Sequence, residues 1–160
     1  MKIIRINVSP ALDAPRLSPE ASLAYAAGML DGDGCIHIAR QNKPSAKRGY
    51  IFRLVTSVSQ NHLGTLIDFQ ELVGLGGRIY QQTRQGSQNK DTYSLVYDGD
   101  GAADVIRKLR PFLHRKLEEA NVALQFQDDC EIHRHFGPKG CPESVWKQRE
   151  AHYKKLRNLK

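Results

Sequence analysis

At 160 residues and 40% hydrophobic composition, the chain can build one domain with its own core, with or without a small appendage. Its 24 Lys and Arg against 17 Asp and Glu leave a formal charge of +7. That excess suits a polyanionic partner, since each neutralised phosphate releases counterions, and it suits ordinary solubility equally. No apolar run approaches the roughly 18–20 residues that span a bilayer, and MKIIRINVSP lacks the apolar core of a secretory signal. Cys35, Cys130 and Cys141 do not make a disulfide framework. Neither a membrane partner nor secretion is expected, and a reducing, intracellular compartment is.

Residues 1–17 hold a short apolar run, Ile3–Val8, and prolines at 10 and 15; they read as an arm with a strand-like start. Leu17-Ser18-Pro19-Glu20 opens a helix, with Ser18 as N-cap, Pro19 at the first helical position and an acid in the first turn. The helix is expected to run through ASLAYAAGML to about Leu30, and its small residues Ala24, Ala27 and Gly28 let another helix approach closely. CIHIARQ then alternates, with Ile36 and Ile38 on one face and Cys35, His37, Ala39 and Gln41 on the other. After the cationic loop NKPSAKRG, IFRLVTSV alternates again: Phe52, Leu54 and Val58 point inward, Ile51, Arg53, Val55 and Ser57 outward. Leu63–Val73 reads as a helix closed by Gly74-Leu75-Gly76-Gly77. RIYQQTR and DTYSLVY form a second hairpin around Gln85–Lys90. Ala102–Leu109 is helical, Pro111 interrupts, and Phe112–Asp128 reads as the next helix. Gly137-Pro138-Lys139-Gly140 breaks the chain before a last cationic helix, Glu143–Leu159. The order is α-ββ-α-ββ-α-α without internal repeat. It divides into an arm (1–17), an α+β domain (18–128) and a basic helical extension (129–160).

The tetrapeptide DGDG occurs twice, at Asp31–Gly34 and at Asp98–Gly101. Neither is a calcium loop of the EF-hand kind, which needs further oxygen donors and an acid at the twelfth position. The second copy lies between a strand and a helix, where Asp100 is placed to cap the helix N-terminus. The first copy closes a helix, and carboxylates are unfavourable at that negative end. A cation held by carboxylate and terminal carbonyls would resolve the conflict; a loop with incidental acids is the other reading of the local chemistry.

AAGMLDGDG resembles the LAGLIDADG motif of homing endonucleases, and the α-ββ-α-ββ-α order over residues 18 to about 128 is similar to that family's domain. Ala26 stands where the motif usually has leucine, and Gly32 where it has alanine. The resemblance implies a saddle-shaped antiparallel sheet that binds DNA, with the extra C-terminal helix appended. It implies Asp33 as the metal-binding carboxylate, with the Gly32 carbonyl as accessory ligand. Gln60 resembles a polar residue that orients the attacking water, and Lys116 a basic residue that stabilises developing charge. Asp31 reads as a structural hydrogen-bonding partner near the helix end.

One motif copy implies a homodimer, with Ala24, Ala27 and Gly28 at the contact and the two Asp33 carboxylates brought together over Mg²⁺. Mn²⁺ or Ca²⁺ would substitute in binding. Two-fold symmetry then implies a long, roughly palindromic double-stranded DNA target. By alternation the outward residues on the saddle are His37, Gln41, Arg53, Ser57, Tyr80, Gln82, Arg84, Thr92 and Ser94, with Lys43, Lys47, Arg48 and Lys90 in the turns. The implied setting is a bacterial or phage-infected cytoplasm, or an organelle, and the gene either sits in an intron or stands free. On the same fold an intron-RNA splicing maturase and a non-cleaving DNA-binding regulator are the rival readings. Retention of Asp33, Gln60 and Lys116 disfavours the regulator. Cys130, His133, His135 and Cys141 offer four zinc donors, but C-x2-H-x-H-x5-C matches no zinc pattern, so zinc is not expected. Trp146, Tyr153 and Leu156 recur at helical spacing and are expected to pack the last helix on the domain.

Overall fold

A computed structural model of the chain describes residues 2–4, 17–82, 91–132, 136 and 140–160. A short strand β1 (Lys2–Ile4) precedes helix α1 (Pro19–Asp33). A hairpin of β2 (Gly34–Asn42) and β3 (Tyr50–Gln60) follows, then α2 (Leu63–Val73). The strands β4 (Arg78–Gln82) and β5 (Thr92–Asp98) lead into α3 (Asp100–Leu109). A 3-10 turn at Arg110–Phe112 precedes α4 (Leu117–Ile132), and α5 (Glu143–Asn158) ends the fold.

The strands form one antiparallel sheet in the order β1-β4-β5-β3-β2. One face is apolar and covered by helices: Ile36, Ile38, Phe52, Leu54, Val58, Leu95 and Tyr97 are all buried against Leu30, Leu66, Phe69, Ile106, Leu109 and Phe126. Each such side chain contributes about 1.5–3 kcal/mol on burial. Alternation leaves the opposite face free of this core. Helix α5 joins the same core through Trp146 and Leu156, and Trp146 sits among Tyr50 and Phe52 with ring centroids at 4.9 and 5.0 Å. Among the described residues no helix is long and apolar enough to cross a membrane.

The local signals act as the sequence predicts at several ends. Ser18 Oγ accepts from Ala21 N at 3.2 Å. Helix α2 stops at Gly74, whose φ of 67° only glycine adopts without strain. Apart from α4 running on to Ile132 past the expected Asp128, three boundaries differ. Helix α1 continues through Asp33, past the expected end at Leu30, so the first acidic tetrapeptide lies in its last turn. Helix α4 starts at Leu117, not Phe112, and residues 113–116 form a loop. Asp100 is not the cap of α3: Gly99 holds that position with φ 55° and no side-chain cap bond. Asp100 is the first helical residue, and its carboxylate accepts from Gln127 Nε2 on α4 at 2.8 Å.

Candidate functional site

The last turn of α1 is where separate parts of the chain meet. Asp31 turns its carboxylate to the loop ahead of α4, accepting from the backbone N–H groups of His114 (2.8 Å), Arg115 (3.1 Å) and Lys116 (3.0 Å). Burial raises its pKa, but these N–H groups and the Lys116 charge outweigh burial and hold the carboxyl below its ordinary value. Asp31 therefore has the structural role its position suggested. Arg115 also donates to the Asp31 carbonyl, as does Lys116 Nζ.

Asp33, two residues on, is exposed and takes the other direction. Its Oδ2 accepts from Gln60 Nε2 at 2.6 Å, joining the end of α1 to the end of β3. Gly32 is exposed, and a Cβ there would meet nothing within 4 Å. Lys116 is 3% exposed, not the solvated helix lysine that its sequence context allows. Burial, then the neighbouring Arg115 charge, lowers its pKa. The structure thus brings Asp33 into contact with Gln60 and places Lys116 against the same helix end. Among the described residues, no group of three or more His, Cys, Asp or Glu side chains could hold a metal ion. The oxygen donors a single chain offers here are the Asp33 carboxylate and the α1 terminal carbonyls.

Beside this end, Cys35 Sγ lies 3.6 Å from His37 Nδ1 and 2.9 Å from Lys160 Nζ. The His37 hydrogen bond, against the cost of burial, brings the thiol down to about 7. A groove of about 320 Å³ runs from these residues to Tyr153, Leu156 and Arg157 on α5.

The face opposite the core carries most of the alternation-predicted residues. The pairings His37↔Val55, Ala39↔Arg53, Cys35↔Ser57 and Tyr80↔Ser94 put them on one surface. Gln41, Lys43 and Lys47 are exposed. Ser94 Oγ lies 2.7 Å from Ser59 Oγ, and Thr92 Oγ1 donates to Asn61 at 3.3 Å. The Gln82 backbone pairs with Thr92. Arg84 and Lys90 lie outside the described residues, as do His133 and His135. Of the other two candidate zinc donors, Cys130 has its thiol pushed up to about 11 by burial, and Cys141 is half-buried.

Two expectations need correction. Ala27 is 0% exposed within this chain, together with Ala26 and Leu30, so it has no surface to give a partner helix. The exposed stripe of α1 is Ala24, Tyr25, Gly28 and Gly32, because steps of four residues return to one face. Arg48 is committed to α5: it pairs with Glu143, and its guanidinium lies 4.8 Å from the Trp146 ring centre. That position turns it away from the outward face of the sheet. Alternation also brings to this face two charged residues absent from the expected set, exposed Arg78 and partly covered Asp98, and counting back from Tyr80 and on from Ser94 would have found both.

The geometry can be set beside known proteins. A family model described as LAGLIDADG endonuclease matches residues 26–133. No curated protein matches the chain. Among solved structures, the homing endonuclease I-CvuI in complex with its target is 21% identical, with TM-score 0.71 over 89% of this chain and 83% of that one. The archaeal intron-encoded homing endonuclease I-Vdi141I complexed with DNA is 18% identical, with TM-score 0.70 over 89% and 86%. The I-LtrWI LAGLIDADG homing endonuclease bound to target DNA is 17% identical, with TM-score 0.67 over 93% of this chain but 47% of that one. At these identities the likeness is one of fold.

Proposed function

This chain belongs to the LAGLIDADG endonuclease family, and from that premise we propose that it is a site-specific DNA endonuclease. It cuts both strands of a long, roughly palindromic target as a Mg²⁺-dependent homodimer. The observation that carries this reading is the convergence on the last turn of α1: exposed Asp33 bonded to Gln60, and buried Lys116 bonded to the Asp31 carbonyl. Pure DNA binding has no use for a carboxylate and a desolvated lysine at one helix end, whereas phosphodiester hydrolysis uses both.

The donors fit a hard divalent cation, since Asp33 and the Gly32 carbonyl offer oxygen only. Bound there, such an ion would supply charge neutralisation at the phosphate and a more acidic water. Gln60 holds the Asp33 carboxylate in place and, with its amide, is positioned to order a water beside it. Lys116 stays poised in a desolvated pocket, where its charge acts on the developing anion more strongly than it would in solvent.

One chain offers a single Asp33, so a partner copy is needed to complete the site. The exposed stripe Ala24, Gly28 and Gly32 suits close helix contact across a two-fold axis. The match to 83% of the I-CvuI chain, and to 47% of the I-LtrWI chain, agrees with a unit that works in pairs. The outward face would then meet the major groove, with His37, Gln41, Arg53, Ser57, Tyr80, Thr92 and Ser94 near base edges and Lys43 and Lys47 near phosphates.

The test is cleavage of DNA carrying the gene's two flanking sequences joined without interruption, with and without Mg²⁺. Wild type should cut both strands only with the metal. Asp33→Asn should bind the same DNA as tightly or more tightly and not cut it. Full cleavage by that variant overturns the assignment. Binding by wild type without cleavage in Mg²⁺ favours a regulator.

A further inference from the structure

Asp98 is the only acid within strands β2 to β5, and it lies on the face proposed to meet DNA. Register fixes that placement: Asp98 pairs with Val55, whose neighbours Leu54 and Thr56 are both buried, and Tyr97 beside it points into the core. The Asp98 carboxylate holds two guanidiniums. Arg53 on β3 reaches Oδ1 at 3.0 Å, and Arg78 on β4 pairs with Oδ2. A cation–anion–cation row therefore crosses three adjacent strands. The Asp98 side chain is 19% exposed, while those of Arg53 and Arg78 are 45% and 54% exposed, so the acid lies beneath and the arginines project.

The backbone under the row is pinned as well. Gly99 N donates to Leu54 O at 2.8 Å, and φ at Gly99 is 55°. A Cβ there would come within 3.7 Å of the Arg53 guanidinium. A stability role explains the row poorly, because ion pairs whose cations are about half exposed contribute little. A carboxylate facing phosphates also lowers overall affinity for DNA. What a shared carboxylate does well is fix two planar guanidiniums in one orientation, with their remaining N–H groups pointing outward. Bidentate contact to guanine O6 and N7 needs that arrangement.

We propose that Asp98 is a specificity-determining positioning residue that aligns Arg53 and Arg78 as a paired reader of guanines. The assignment rests on the endonuclease reading above. Arg53 precedes Gln60 by seven residues, about 23 Å of extended strand at about 3.3 Å per residue. At about 3.4 Å per base pair, the reader falls about seven base pairs from the cut in each half-site.

The experiment is selection of bound sequences from a randomised double-stranded DNA library by the purified full chain. Wild type, Asp98→Asn, Arg53→Ala, Arg78→Ala, the double variants and the triple variant are compared, with thermal melting run alongside. Asp98→Asn should bind random DNA more tightly and lose, by about tenfold, its base preference at one or two adjacent positions in each half-site. Preference elsewhere should stand and the melting temperature should hold. Adding Asp98→Asn to Arg53→Ala and Arg78→Ala together should change preference no further. Unchanged preference in Asp98→Asn overturns the proposal while leaving the endonuclease reading intact. A uniform loss of preference with a lower melting temperature makes Asp98 a structural staple instead. A wild-type chain that selects no sequence overturns both readings.

Discussion

Asp31 and Asp33 share one tetrapeptide and one helix turn, yet their surroundings give them opposite tasks. Asp31 is saturated by three backbone N–H groups, whereas Asp33 stays exposed and is held through Gln60. The first arrangement has a pH signature. The folded carboxyl of Asp31 sits below its ordinary 3.8, so its stabilisation is fully present above about that pH and is lost as pH falls through the lower folded value. Asp31→Asn should therefore lower the melting temperature at neutral pH, because a neutral amide oxygen accepts those three N–H groups more weakly than a charged carboxylate does. The gap between variant and wild type should close in acid. A gap independent of pH would mean that the carboxylate charge does not matter. Lys116, buried against the same turn, supplies a kinetic contrast. Lys116→Met should lower the cleavage rate about 10²–10³-fold with little change in DNA affinity, measured by single-turnover kinetics beside equilibrium binding. Equal falls in rate and affinity would reduce Lys116 to a phosphate contact.

The elements were legible where the local pattern admits one solution. In β3, Phe52, Leu54 and Val58 must enter the core, so every outward neighbour follows, and one residue of slip would have inverted the set. The start of α1 and the end of α2 followed from capping chemistry. What stayed hidden was set by contacts between distant residues. Glycines at 32 and 34 disfavour helix, yet the bonds from Asp31 to residues 114–116 carry α1 on to Asp33. The same bonds hold residues 113–116 as a loop although LHRKLEEAN has helical periodicity. Asp100 lost the cap to Gly99 because its carboxylate is drawn to Gln127 on another helix. Ala27 was misplaced because α1 has small residues on both faces, Ala26 and Ala27 in the core and Ala24, Gly28 and Gly32 outside it, so small size alone does not tell the core face from the exposed one. The α1–β2 junction supplies a test at this scale. A Cβ on Gly34 would lie 2.5 Å from the Leu30 carbonyl oxygen, a contact that moves backbone. Gly34→Ala should displace Asp33 and cost both stability and cleavage, read by melting and by plasmid linearisation. Normal values for both would show that the junction yields freely.

Among the described residues, the molecule is a helical layer on a sheet, with the other sheet face and one stripe of α1 uncovered. The stripe makes assembly separable from folding. Gly28 is exposed, and a Cβ there meets nothing within 4 Å, so Gly28→Arg should leave the single chain folded, or slightly stabilised through helix propensity. It should nevertheless block a facing helix. Analytical ultracentrifugation should find wild type as a dimer and the variant as a folded monomer without double-strand cleavage. A dimeric, active variant would move the interface off this stripe. The clasp between Asp31 and residues 114–116 has a further consequence, in the order of events as the chain is made. Its two sides are separated by 83 to 85 residues, a span whose closure is slow and comes late. Lys116 reaches the α1 end only through that closure. A nascent or partly unfolded chain that already displays Asp33 and Gln60 therefore lacks Lys116 beside them, and on the proposed mechanism it would cut no DNA until nearly all of its domain is in place.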